Sequence, residues 1–147
     1  MNNSPFFRPA AVVIWRAGDV DAELATLGTT RLIIATAVLE GELQRKLCTA
    51  LDPPATAGFV AWARTTRSLG SQHKPLGWVR EDHGISTVVD PTRRVAIGVA
   101  TGDKNTGRVG GPDPKTKYPK GESTVAVIVE NAHQGVLFGQ PAPVVRP

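Results

Sequence analysis

Residues 101–121, TGDKNTGRVGGPDPKTKYPKG, gather the groups in this chain best suited to holding an anion. Lys104, Arg108, Lys115, Lys117 and Lys120 are opposed there by Asp103 and Asp113, so +3 of the formal net charge of +4 falls within one loop. Closely spaced glycines let successive backbone N–H groups turn into a concavity, and cations beside them deepen its positive potential; this is the chemistry of a phosphate or carboxylate cradle. Thr101, Gly102, Lys104, Asn105, Thr106, Gly107 and Arg108 make up the first half of the loop. Their hydroxyls and the Asn105 amide are donors for phosphate oxygens or a ribose, and Lys104 and Arg108 are counter-charges. In the second half Tyr118 stands among Lys115, Lys117 and Lys120. A ring flanked by cations can stack on a base while the cations hold phosphates.

Gly102 to Gly107, GDKNTG, has the glycine spacing of a P-loop. A P-loop continues with Lys, which reaches the β- and γ-phosphates, and with Ser or Thr, whose hydroxyl binds magnesium, at the start of a helix. Here Arg108 and Val109 follow, and then Gly110, Gly111 and Pro112. A P-loop is excluded.

The remaining candidates for chemistry are isolated. His83, within Arg80-Glu81-Asp82-His83-Gly84, belongs to a hairpin tip beside carboxylates and could act as an acid or base; exposed, idle turn histidines are commoner. His73 adjoins Lys74 in a loop and His133 follows Asn131, and no spacing brings the three together. Cys48 lies beside Leu47 and Leu51 on an apolar helix face, which suits a small core residue better than a nucleophile. Ser71, Ser86 and Ser123 lack a G-x-S-x-G context, and neither H-E-x-x-H nor a carboxylate pair occurs. The sequence assigns no catalytic residue, no metal and no cofactor, and enzyme chemistry is unsupported.

Composition bounds the rest. With 147 residues, 41% hydrophobic and 20% charged, the chain reads as one domain over 1–147 that buries a core without staples. One cysteine excludes an internal disulfide and fits a reducing cytosol. No apolar run is long enough to span a bilayer, and MNNSPFFRPAAVVIW lacks the basic start and apolar centre of a signal peptide, so a cytoplasmic location with no membrane partner is expected. The isoelectric point of about 9.6 permits attraction to polyanions, although +4 over the whole chain is mild. The Ala, Arg, Gly, Pro and Val bias suggests a GC-rich bacterial or phage genome and an accessory gene.

The elements that must position the loop follow from periodicity. Ala10 to Trp15 reads as a first strand or extended arm, and Asp19 to Leu27 as a short helix capped by Asp19 and stopped by Gly28. From the N-cap Thr30, a stripe of Leu32, Ile33, Thr36, Leu39, Leu43, Leu47 and Leu51 predicts a long, half-buried helix. Asp52-Pro53 opens a second long helix carrying Phe59, Trp62, Ala63 and Thr66, with Gly70 as its stop and residues 68–75 as a loop. The period then changes to two: residues 78–80, 85–89 and 95–100, separated by the turns at 82–84 and 90–93, predict an antiparallel meander. Residues 123–131, STVAVIVEN, favour a fourth strand over a helix because Val and Ile dominate. Residues 139–147 form a Pro-rich tail expected to be extended.

The expected fold is therefore α+β, with two helices packed on one face of a mostly antiparallel sheet of about four strands and a long Gly/Pro/Lys-rich loop at 101–121. Trp15, Trp62 and Trp78 are core or interface anchors. Arg64 and Arg67, with Arg93 and Arg94, extend the positive surface, although the 90–93 turn lies at the sheet end opposite Thr101, so its arginines meet the loop only across a dimer. Two function classes survive. One is non-catalytic binding of a small phosphorylated ligand, a nucleotide or nucleotide-derived signal, within a possible homo-oligomer. The alternative is an accessory protein whose same lysines contact nucleic acid or an acidic protein.

Overall fold

A computed structural model describes residues 14–117, together with positions 122 and 126. The chain forms α1 (Ala17–Thr26), α2 (Arg31–Arg45) and α3 (Thr56–His73), then a 3-10 turn (Lys74–Leu76) and three short strands, β1 (Val79–Glu81), β2 (Thr87–Val89) and β3 (Ala96–Gly98). The architecture is α+β, with three helices and a three-stranded antiparallel sheet, in the order β1-β2-β3, among the described residues up to 117. The arm expected at 10–15 lies outside the described residues up to position 13, as does the tail at 139–147; of the fourth strand expected at 123–131 only position 126 is described, and it is helical, as is position 122.

The helix ends show which local signals prevailed. α1 starts two residues before Asp19, with Arg16 as N-cap and no capping side chain; Asp19 lies in the first turn, where a carboxylate favours the N-terminal dipole. Gly28 ends it as expected, at φ +76. Thr30 caps α2 by accepting from the Ile33 N–H at 3.2 Å, and the two helices meet at 97°. α2 stops at Arg45, short of the end of the expected stripe. Asp52 does not cap α3, because its carboxylate turns back to accept from the Thr49 N–H at 2.7 Å. α3 begins at Thr56 instead and continues through Gly70 to His73, since Leu69 and His73 are both drawn into the core. The left-handed stop falls at Gly77, φ +81, after the 3-10 turn. No single helix among the described residues is long and apolar enough to cross a membrane.

The leucine stripe of α2 is not its buried face. Ala37 and Gly41 are buried against α3, whereas Leu32, Leu39, Leu43, Leu47 and Leu51 range from 51% to 97% exposed. Size decides this. A Cβ at Gly41 would lie 2.0 Å from Thr65 Oγ1 and 2.7 Å from the Ala61 carbonyl oxygen, so α3 approaches at a distance that only glycine allows. Close approach maximises backbone dispersion contacts, and the leucines are left on the opposite side of the helix.

α3 lies against β1 and β2, while α2 packs on α3. Ala37, Leu69, Trp78 and Val88 form the core, with Ile34, Val95, Ile97 and Val99 packed around them. The meander pairs Val79 with Val89 and Val88 with Ile97, so the expected order of strands holds, though each is three residues long. Asp90 ties its second turn. The Asp90 carboxylate accepts from the Arg94 and Val95 N–H groups, both at 2.7 Å, from the Thr92 N–H at 3.0 Å and from the Thr92 hydroxyl. Burial opposes the Asp90 charge, but these donors more than offset it, and the carboxyl pKa falls below its ordinary value.

Candidate functional site

The basic loop leaves β3 and folds back on itself. Gly102 and Thr116 form an isolated antiparallel bridge, with the Asp103 N–H donating to the Lys115 carbonyl at 2.9 Å and the Lys117 N–H to that of Thr101 at 2.8 Å. Within this clip the GDKNTG segment turns tightly: the Thr106 N–H donates to the Asp103 carbonyl at 3.1 Å and the Arg108 N–H to that of Asn105 at 3.2 Å. Gly102 is required where it stands, because a Cβ there would lie 2.0 Å from Thr106 Oγ1. Gly107 supplies the left-handed residue, at φ +77.

The Asp103 carboxylate fills this turn. It accepts from the Asn105 N–H at 2.9 Å and, more weakly, from the Asn105 side-chain amide at 3.4 Å. Burial raises its pKa, yet hydrogen bonds from Asn105, Lys115 and Thr106 outweigh that, and the carboxyl is held below its ordinary value. The N–H groups of Asn105, Thr106 and Arg108 are thus spent inside the loop, and an anion would meet side chains rather than a backbone cradle. Lys104, Arg108 and Lys115 are exposed, and among the described residues none of them forms an ion pair. Thr101 is exposed and Asn105 half-buried; Tyr118 and Lys120 lie outside the described residues.

The other residues singled out by type are dispersed. His73 is not in a loop but wholly buried at the end of α3. Its Nδ1 lies 2.8 Å from the Leu69 carbonyl, which only accepts, so Nδ1 carries the proton and Nε2 accepts from the Thr29 hydroxyl at 2.8 Å. Its ring rests 4.5 Å from that of Trp78. This histidine pins α3 to the α1–α2 junction and has no capacity left for a ligand. His83 is exposed in the β1–β2 turn, and Cys48 is half-buried just beyond α2. No group of three or more His, Cys, Asp or Glu side chains suited to a metal occurs among the described residues.

Trp78 is a core anchor as expected. Trp62 is only part-covered and donates its indole N–H to the Val99 carbonyl at 3.1 Å, bracing the root of the loop. Arg93 is taken up by an ion pair with Glu81 at 2.6 Å. Arg64 and Arg67 line grooves on α3, and Arg67 shares two of these with Arg80 of β1. Sequence spacing shows the arginine pair on α3, but the junction with Arg80 depends on how the sheet docks and carries no local signal.

No protein-family model, curated protein or solved structure matches this chain.

Proposed function

We propose that the protein binds a small phosphorylated ligand, a nucleotide or nucleotide-derived signal, without turning it over, through the basic loop at 101–121. The observation that supports this reading is the set of exposed cations that form no ion pair among the described residues, Lys104, Arg108 and Lys115, mounted on a backbone that the Gly102–Thr116 bridge and Asp103 hold in shape. A backbone held in shape lowers the ordering cost of capturing a phosphate. Thr101 and Thr106 offer hydroxyls beside the cations, Lys117 and Lys120 add charge, and Tyr118 supplies a face for a base. The exposed leucines of α2 support a homo-oligomer in which this face meets a second copy. A cytoplasmic bacterial or phage accessory protein is the setting this reading implies.

The second reading, a nucleic acid or acidic protein on the same cations, is favoured by the openness of the loop. Salt separates the two: polyanion binding falls steeply with ionic strength, and binding of a small ligand falls less. The test is calorimetric titration of a nucleotide panel into the protein and its Lys104→Ala/Arg108→Ala variant. Affinity should fall at least about tenfold in the variant with its melting temperature unchanged; equal affinity would remove the loop from consideration.

A further inference from the structure

A second basic feature lies away from the loop, between the exposed side of α3 and the edge strand β1. Two clefts of about 420 and 440 Å³ share Thr66, Arg67 and Arg80, a size range typical of small-molecule sites. The first also carries Phe59 and Trp62, whose rings lie 5.8 Å apart and tilted by 44°. The second carries Ser71 and Lys74.

Of the three cations here, Arg80 is ion-paired with Asp82 at 3.1 Å. Arg67 and Lys74 form no ion pair among the described residues. Arg80 is steadied by Asp82, which accepts from Nε at 3.1 Å, and by Ser86, which accepts from Nη2 at 3.1 Å; Nη1 takes no part in these bonds. Beneath them Thr66 is 7% exposed, and its hydroxyl has no hydrogen-bond partner among the described residues. A buried hydroxyl left unpaired is costly, so a native structure that keeps one needs a reason for it. Thr66 lines both clefts.

We propose that this groove binds a phosphate monoester bearing a planar aromatic group, a mononucleotide in chemical class. The phosphate lies between Arg67 and Arg80 and receives the Thr66 hydroxyl, and the planar group rests on Phe59 and Trp62. Guanidinium groups suit this role because their paired N–H donors match phosphate oxygens. The site does not depend on the loop reading.

The test is titration with adenosine monophosphate, with inorganic phosphate as a second probe, followed by the NMR signal of the Trp62 indole N–H assigned with Trp62→Phe. Adenosine monophosphate should shift this signal, and inorganic phosphate should bind more weakly. Arg67→Ala should weaken the response at least about tenfold. Thr66→Val should weaken it several-fold while holding or raising the melting temperature, whereas a hydroxyl with a merely structural role would raise the melting temperature and leave binding unchanged, which overturns the proposal. Lys104→Ala/Arg108→Ala should leave the Trp62 response intact. No response to about 10 mM probe, the range of the weakest specific sites, or a response lost in the loop variant and kept in Arg67→Ala, would also overturn it; the latter result would sustain the loop reading.

Discussion

The basic loop and the α3–β1 groove carry the same kind of charge on opposite kinds of support. The loop braces itself, with Asp103 and a single bridge doing within a few residues what a core does elsewhere. In the groove Asp82 and Ser86 steady Arg80 locally, but Arg67 and Arg80 meet because α3 lies on the sheet, over Leu69, Trp78 and Val88. Charge that is concentrated in sequence is easy to find and sits on an exposed rim. Charge that is assembled by packing is hard to find, and it comes with walls.

That contrast predicts different responses to damage. The largest effect is expected from Gly41→Ala, whose Cβ would meet Thr65 and Ala61 and force α2 from α3. It should cost about 2–3 kcal/mol in urea denaturation and disturb the groove's α3 wall while leaving loop binding in place. Asp90→Ala, which strips four donors of their acceptor, should cost about 2 kcal/mol in the same measurement. Because the folded pKa of Asp90 lies below the ordinary carboxylate value, its contribution is complete above about pH 4 and is lost as pH falls through the lower, folded value. The acid limb of the stability curve should therefore be shallower in the variant; an unchanged limb would break the assignment of the turn to Asp90.

Smaller effects sharpen the comparison from the other side. Lys104→Ala/Arg108→Ala should change binding and its salt dependence but not melting, because neither side chain forms an ion pair among the described residues. Gly58→Ala, on α3 where an added Cβ has nothing within 4 Å, should stabilise by about 0.5 kcal/mol. A loss instead would show that the exposed side of α3 is closer packed than its geometry indicates.

The sequence was informative where structure is local. Thr30 caps α2, Gly28 stops α1, and the turns at 82–84 and 90–93 deliver the meander, since each depends on a few adjacent residues. It misled where two local signals competed with packing. Asp52 reads as a helix cap but closes a turn on Thr49, and Gly70 reads as a stop but lets α3 pass near Val88, whose Cγ1 would be 3.6 Å from an added Cβ. The leucines of α2 announce a buried stripe, yet the small residues Ala37 and Gly41 make the seam, because hydrophobicity records what would gain from burial and not how closely backbones can approach. In the loop, glycine spacing and charge were legible, whereas the filling of its turn by Asp103 was not. The groove was hidden for a different reason: Thr66 and Arg80 are unremarkable until α3 and β1 are placed side by side.

Native mass spectrometry of the freshly purified protein beside its Lys104→Ala/Arg108→Ala variant tests the central claim most directly. A retained mass in the nucleotide range, present in the parent and lower by one ligand equivalent in the variant, is the predicted result, any equivalent held in the α3–β1 groove staying in both. A parent that carries no such mass, and that binds no nucleotide when one is added, would contradict the claim and transfer the loop to a macromolecular partner.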